Sequence, residues 1–222
     1  AKGLPIVNLL KLEDNEFVQT IINVGREKNE DQYLFFATRQ GVVKRTGVSE
    51  FGNIRQNGLK ALNLKEDDEL ITVFLTDGQS DIIMGTRLGY SVRFNEAVVR
   101  NMGRTATGVR GVNLRDEDCL VGATVISDDQ EVLVLTEKGF GKRTAASEYP
   151  TKGRGGKGIK TLNVAAKNGP LAGFEVEGIK VTLKDGSFHA VDSDALSFEM
   201  AAKLGFKEAG KAAKPVIMEP IM

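Results

Sequence analysis

The sequence predicts a mainly β fold: a propeller-like array of four-stranded blades, followed by a C-terminal α/β segment that contains one helix. Two repeated motifs predict the array. In the first motif an apolar strand, a turn glycine and a basic exit follow one another three times, with glycines spaced 48 and 50 residues apart. In the second motif a glycine-led apolar stretch with an asparagine occurs four times, at spacings of 55, 50 and 50 residues. Repeats of this length are typical of propellers and solenoids, whose function lies in what the repeats share.

The first motif predicts three β-hairpins. Residues on both sides of the turn glycines Gly41, Gly89 and Gly139 are rich in β-branched and aromatic types. The three sequences are YLFFATRQGVVKRT (33–46), DIIMGTRLGYSVRF (81–94) and EVLVLTEKGFGKRT (131–144).

The second motif is followed each time by a stretch that predicts a third strand. The motif asparagines are Asn8, Asn63, Asn113 and Asn163. The stretches lie at 16–24, 69–77, 119–128 and, more weakly, 170–178. Each unit is therefore expected to supply about four short strands, which is the content of a propeller blade.

The charges are balanced in total but separated along the chain. Thirty Lys and Arg residues offset thirty Asp and Glu residues, and zero net charge by itself argues against a nucleic-acid binder. Basic residues nevertheless gather at the hairpin exits and in the long polar loops 47–58, 95–108 and 145–158. Because repeats stack in phase, we expect these loops on one rim, where bent duplex DNA would be held by phosphate contacts with little base reading. The alternative is a set of ordinary charged surface loops.

The candidate DNA-binding residues follow from this pattern. They are Lys44, Arg45, Arg55, Lys60, Arg93, Arg100, Arg104, Arg110, Lys142, Arg143, Lys152, Arg154, Gly155, Gly156, Lys157 and Lys160.

The acidic residues gather after the second motif, at 13–14, 66–69 and 116–118. Adjacent carboxylates suit hard cations. No histidine or ordered ligand spacing accompanies them, so we expect solvated turns and no metal site.

The loop GRGGKG at 153–158 formally matches GxGxxG. A dinucleotide-binding loop follows a strand and opens a helix, whereas this one follows Tyr149-Pro150-Thr151 and leads into the β-like IKTLNV. Gly158 also stands where a P-loop needs serine or threonine. We expect instead that the glycines, with Arg154 and Lys157, let the loop lie flat along a phosphate backbone. A flexible connection between blades is the alternative.

Composition and cysteine content bound the remaining classes. The 222 residues, 41% hydrophobic and 27% charged, can bury one or two cores. No apolar run is long enough for a bilayer span, and the N-terminus has no signal layout. The single cysteine, Cys119, excludes a disulfide framework or a cysteine metal site within one chain. We expect a soluble protein of the cytoplasm without a cofactor.

Residues 1 to about 173 resemble a known family. The repeat with GVRGVNL, the segment VRFNEAVVRNMGRTATGVRGVNL and the segment GKRTAASEYPTKGRGGKG are similar to the C-terminal domain of the DNA gyrase A subunit. The related topoisomerase IV subunit is a near alternative. The resemblance implies a β-pinwheel whose basic rim wraps double-stranded DNA for supercoiling, with the remaining gyrase subunits as partners. It also implies a module that is not itself an enzyme, because the catalytic domains lie elsewhere; Tyr33, Tyr90 and Tyr149 are then packing residues.

The signature heptapeptide of that family is a glutamine, two basic residues and GGKG. Residues 152–158 keep Arg154, Gly155, Gly156, Lys157 and Gly158, but have lysine for the glutamine and glycine for one basic residue. The family carries this box in its first blade, whereas three repeats precede it here. We therefore expect a later, box-like copy, and a truncated array whose DNA wrapping is impaired.

The repeat ends after about residue 173. A fourth hairpin is predicted at 178–193, and a helix follows, with Ser193 as cap, a stripe of Leu196, Met200 and Leu204, and a stop at Lys214-Pro215. An extended tail completes the chain.

This second part resembles domain IV of translation elongation factor G, through GPLAG, GSFHAVDS and PVIMEPIM. The shared string GPLAG at 169–173 predicts a chimera, engineered or artefactual, with domains at 1–173 and 174–222; a native two-domain arrangement is the alternative. By resemblance His189 occupies the tip-loop histidine that enters the ribosomal decoding site.

Three functional hypotheses follow. The first is a non-catalytic DNA-binding and DNA-wrapping module. The second is a ribosome-binding fragment of the elongation factor, which we do not expect to survive without its other domains. The third is a chimera with no retained activity, in which exposed blade edges allow homo-oligomers.

Overall fold

The computed structural model describes residues 12, 16, 18–24, 31–52 and 58–172 of the chain. Several predictions from the sequence lie outside these ranges, namely the 174–222 domain with its hairpin, helix and His189, the candidate Arg55, and the motif at Asn8. The strand predicted at 16–24 is not formed by its described residues. Gln19 instead reaches the neighbouring strand through its side chain, whose Nε2 donates to the Ile71 carbonyl at 3.2 Å.

All three predicted hairpins are present, and the mainly β prediction is confirmed for the described part. The strands, in chain order, are β1 Tyr33–Thr38, β2 Val42–Gly47, β3 Leu70–Thr76, β4 Asp81–Thr86, β5 Tyr90–Asn95, β6 Val109–Arg110, β7 Leu120–Ile126, β8 Glu131–Leu135, β9 Gly141–Ala145 and β10 Ile159–Lys160. Short 3₁₀ helices at Val48–Phe51, Glu96–Val98 and Ala146–Glu148 follow the second strand of each hairpin. Within the described ranges no helix has the length and apolarity needed to cross a membrane.

The strands form two four-stranded antiparallel sheets and a third hairpin sheet. Their orders are β3-β1-β2-β6, β10-β5-β4-β7 and β8-β9. In the first two blades the third strand begins opposite a threonine of the hairpin, with Thr38 paired to Leu70 and Thr86 to Leu120. The bridge between Thr136 and Leu171 repeats this pairing in the third blade.

The fourth strand of each completed blade comes from the next repeat. The pair β6 and β2 joins Val109 to Val43, although the whole hairpin β4–β5 lies between them in the chain. The pair β10 and β5 joins Ile159 to Ser91 in the same way. The sequence pattern predicts the right number of strands for each blade, but it places all four strands of a blade in the same repeat. The second motif in fact reaches back to the preceding blade, so adjacent blades are interlocked.

The second blade lies between the other two, and both of its faces are buried. Ile82 and Met84 of β4 pack with Phe35 of the first blade and Phe94 of the second. Ile83, on the opposite face of β4, packs with Ile126, Ala146 and Tyr149. This explains why β4 is apolar at successive positions, since a strand covered on both faces has no need to alternate.

One acidic residue in each of the acidic turns at 66–69 and 116–118 has a structural role. Asp118 accepts from the Thr86 hydroxyl at 2.7 Å and from the Leu88 N–H at 2.9 Å. Asp68 makes the matching bonds to Thr38 and to the Gln40 N–H. These carboxylates tie the hairpin turns to the strand that follows, so they are not simply solvated as the sequence pattern predicts.

Candidate nucleic-acid interface

Lys44, predicted as a DNA contact, is buried within the first blade. Its ammonium donates to the Ala61 carbonyl at 2.5 Å and to the Arg104 carbonyl, and it lies 5.3 Å from the centre of the Phe36 ring. The side chain is 0% exposed. The prediction for Lys44 is therefore wrong, because the second motif at Ala61 and the loop of the next repeat at Arg104 cover a residue that the local sequence places at a hairpin exit.

The environment of Lys44 makes the stability of the first blade depend on pH. Burial, and secondarily the positive charge of Arg104, lowers the pKa of Lys44 from 10.5 to about 8. The unfolded chain keeps this proton at pH values where the folded protein has lost it, so we expect the free energy of unfolding to rise from pH 8 to 10.5. Urea unfolding below and above pH 8 of wild type and Lys44→Met measures this. A wild-type minus variant difference that does not change with pH would contradict it.

Arg93, also predicted as a DNA contact, joins the second and third blades. Its guanidinium binds Asp81 at 2.8 Å and Asp128 at 2.7 Å, and donates to the Ala146 and Tyr149 carbonyls. Burial opposes the charged form, but these carboxylates outweigh it and raise the pKa of Arg93. At 7% exposure Arg93 is a structural residue, and the prediction for it is wrong.

Arg45 occupies the equivalent position in the first blade and is also mostly covered. It lies 4.6 Å from the centre of the Tyr33 ring and 3.7 Å from the buried carboxylate of Glu96. Glu96 in turn accepts from the Thr76 hydroxyl and the Gly78 N–H. Arg45 therefore links two repeats, and the DNA contact there stays a prediction that these structural contacts do not favour. Arg143 of the third blade differs, since its side chain is 71% exposed beside Glu131.

Most of the other predicted basic residues are exposed. They are Lys60, Arg100, Arg110, Lys142, Arg143, Lys152, Arg154, Lys157 and Lys160. Arg104 is half-buried. In the described ranges no group of three or more His, Cys, Asp or Glu side chains is placed to bind a metal ion.

The glycine-rich loop 153–158 is held along the second motif of the preceding repeat. Arg154 Nη1 donates to the Arg110 carbonyl at 3.1 Å, and the Gly155 N–H donates to the Gly111 carbonyl at 2.6 Å. The Asn113 N–H donates to the Gly156 carbonyl at 2.9 Å. Hydrogen bonds therefore tie the loop to the preceding repeat, and the Gly155 N–H is already used within the fold.

This docking brings basic residues of two repeats together. A Cβ built on Gly155 would lie 3.9 Å from Cδ of Arg110, so the loop backbone rests directly against that side chain. A guanidinium carries five N–H donors, and Arg154 uses two of them, on the Val98 and Arg110 carbonyls. We call the exposed surface formed by Arg110, Lys152, Arg154, Lys157 and Lys160 the basic face.

Arg115 belongs beside this surface, although the charge pattern of the sequence does not single it out. Its guanidinium carbon lies 3.3 Å from the centre of the Tyr90 ring, and its Nη1 donates to the Lys157 carbonyl at 2.6 Å. Lys160 Nζ lies 5.6 Å from the same ring. The signal that could have found Arg115 is its place at the end of GVRGVNLR, where the loop of the following repeat docks.

The loop and strand β5 also enclose a shallow groove of about 220 Å³. Its lining includes Lys152, Lys157, three loop glycines and Tyr149. Tyr149 is 2% exposed and packs in the interface between blades, as expected for a packing residue. The groove and the basic face together form an open cationic surface of a kind that suits an extended anion.

Known protein families and curated proteins are similar to this chain in sequence. The family model "DNA gyrase C-terminal domain, beta-propeller" matches residues 32–77, 80–127 and 130–175. The DNA gyrase A subunit of Streptococcus pyogenes serotype M3 (strain ATCC BAA-595 / MGAS315) is 70% identical over 107 residues, covering 48% of this chain and 13% of that protein. The chain thus spans a small part of the length of the curated relatives it matches. A second family model, "Elongation factor G, domain IV", matches residues 158–214 and so overlaps the first.

Solved structures show the same likeness. The C-terminal domain of DNA topoisomerase IV superposes with a TM-score of 0.70 at 30% identity, covering 76% of this chain and 53% of that one. The C-terminal domain of DNA gyrase A superposes with a TM-score of 0.66 at 26% identity, covering 77% and 57%. Both resemblances stated from the sequence are confirmed.

Proposed function

Because the chain belongs to the DNA gyrase C-terminal domain family, we propose that it binds double-stranded DNA on the basic face, without catalysing strand cleavage. The observation that carries the proposal is the docking of loop 153–158 on the second motif of the preceding repeat, which joins exposed cations of successive repeats. A surface built from spaced cations and glycine backbone favours phosphate contacts, which carry little sequence information.

In this proposal fewer residues contact DNA than the charge pattern of the sequence predicts. Lys44, Arg45 and Arg93 stabilise the blades, and the exposed cations contact phosphate. In the parent enzyme the remaining gyrase subunits would be the partners, in the cytoplasm of a bacterium. Homo-oligomers through blade edges stay a prediction, which light scattering of the full chain tests directly.

Fluorescence anisotropy with short duplexes tests binding. We expect similar affinities for unrelated sequences and a linear fall of log K with log salt, of slope about −0.9 for each phosphate neutralised. Arg154→Glu with Lys157→Glu should reduce the magnitude of this slope by about 2. The matched control is Lys138→Glu with Lys167→Glu, which makes the same change in charge at two lysines that are not members of the basic face; Lys138 binds the Ala166 carbonyl. Binding that does not depend on salt would sink the proposal.

Wrapping requires a separate measurement. Nicked circular DNA religated with the protein bound should show a shifted linking number if the blades bend the duplex, and an unshifted one if they only bind it. The Arg154/Lys157 double variant should reduce any shift.

We also propose that the chain divides into residues 1–173 and 174–222, and that it is a chimera of the two families. The overlap of the two family matches at 158–175 supports a junction near the shared string GPLAG. Ribosome pelleting of wild type and His189→Ala tests whether the second part keeps a role. We expect no binding, and pelleting that is lost in the variant would establish the translation-factor function instead.

A further inference from the structure

Arg115 makes two contacts that join three different parts of the fold. Its guanidinium stacks on Tyr90 at the start of β5, 3.3 Å from the ring centre. The same group donates to the Lys157 carbonyl at 2.6 Å. The second motif, the hairpin of the second blade and the glycine-rich loop therefore meet at one side chain.

The hydrogen bond from Arg115 to the Lys157 carbonyl restrains the loop backbone where its conformational freedom is greatest. Glycine loses more conformational freedom on ordering than any other residue, and four of the six residues at 153–158 are glycines. Gly158 has a φ of +74°, and a Cβ there would lie 2.6 Å from the Ser91 carbonyl oxygen, so the loop must close against β5 immediately after Lys157. A bond to the Lys157 carbonyl orients the peptide that leads into this closure.

The preceding repeat lacks this arrangement. The positions equivalent to Arg115, Tyr90 and Lys157 are Lys65, Val42 and Thr107. A lysine offers no planar group to stack on valine, and threonine adds no cation to the surface. Of these two repeats, the contacts of Arg115 with Tyr90 and Lys157 therefore occur at the loop that also has the GGKG sequence.

We propose that Arg115, held by Tyr90, is a positioning residue that presents Lys157 to DNA phosphate; this rests on the proposed function. Arg115 acts through the loop backbone. The stacked guanidinium keeps its orientation, its hydrogen bond fixes the Lys157 carbonyl, and the fixed carbonyl limits where the Lys157 side chain can lie. The competing role for Arg115 is a direct phosphate contact by its own charge.

Two charge-conserving variants of the full chain separate these roles. Arg115→Lys keeps the cation but loses the planar stack, and Tyr90→Val removes the ring while copying the residue of the first repeat. Tyr90→Phe keeps the ring and is the matched control. Anisotropy with a short duplex over a range of salt concentrations gives affinity and slope, and thermal unfolding reports whether each variant is folded.

We expect Arg115→Lys and Tyr90→Val each to weaken binding about threefold to tenfold, the scale of one cation–π contact, and each to reduce the salt slope by about 1. Tyr90→Phe should match wild type. Wild-type slope in both charge-conserving variants would overturn the positioning role while leaving DNA binding intact. If wild type itself shows no salt-dependent binding, the proposed function fails, and the positioning role with it.

Discussion

Replacing Gly89 by alanine is expected to lower the free energy of unfolding by about 4 kcal/mol. Gly89 has a φ of +83°, and a Cβ there would lie 2.2 Å from the Leu162 carbonyl oxygen. The Gly89 carbonyl also accepts from the Thr161 and Leu162 N–H groups at 2.8 and 3.2 Å. A methyl group would therefore force apart the hairpin of the second blade and the second motif of the next repeat, with loss of both hydrogen bonds. Urea unfolding followed by far-UV circular dichroism measures the change.

Gly139→Ala is the matched control for this prediction. Gly139 occupies the same hairpin position with a φ of +76°, but no heavy atom of the described residues lies within 4 Å of a Cβ built there. Alanine at position 139 should lower the free energy of unfolding by about 1 kcal/mol, because only the left-handed backbone conformation disfavours it. Equal losses at the two positions would show that the contact with the next repeat contributes nothing.

Replacing Arg93 by methionine is expected to cost about 3 kcal/mol of unfolding free energy. The change keeps much of the aliphatic volume but leaves Asp81 without its guanidinium. It also removes the Arg93 hydrogen bonds to the Tyr149 and Ala146 carbonyls, of which the Ala146 carbonyl keeps the Tyr149 N–H as a second donor. Breaking a buried pair costs more than the pair contributes, because the remaining carboxylate stays partly buried without an opposite charge, even though it keeps hydrogen bonds from Asn95 and Thr151. Arg143→Met, at the equivalent exposed position, should change stability by less than about 1 kcal/mol.

The pH dependence of the Arg93 variant provides a second measure of the same contact. Burial opposes ionisation of Asp81, but hydrogen bonds from Asn95, Thr151 and Arg93 outweigh it and hold its pKa below the ordinary value of 3.8. The stabilisation is therefore complete above that value and is lost as pH falls through the lower pKa of the folded state. The difference between wild type and Arg93→Met should shrink on acidification below about pH 4. A difference that stays constant into the acid range would contradict the assignment to Asp81.

The hairpins are predictable from the sequence because their signals are local. Turn glycines, β-branched strands and basic exits all lie within about fourteen residues of one another, and local turn chemistry sets hairpin register. The fourth strand was misassigned because β6 and β10 are two residues long and pair one repeat away. A pairing of that kind leaves no local pattern in the sequence.

The candidate site was predicted in part for a related reason. Exposed members such as Arg154 and Lys157 lie in a loop whose composition already marks it as accessible. Lys44 and Lys142 occupy the same hairpin position, yet only Lys142 is exposed. Arg115 was missed because its importance comes from Tyr90, in the hairpin of the same repeat, and from Lys157, in the next repeat.

The repeat, its hairpins and the segregation of charge follow from the amino-acid sequence alone, since each of these depends on residues close together in the chain. The folded chain is needed to establish which blade each strand completes and which cations remain available to a ligand. The physical reason is that burial and hydrogen bonding at one repeat are supplied by the next. Identical local patterns at 44–45 and 142–143 therefore produce structural cations in one blade and exposed cations in another.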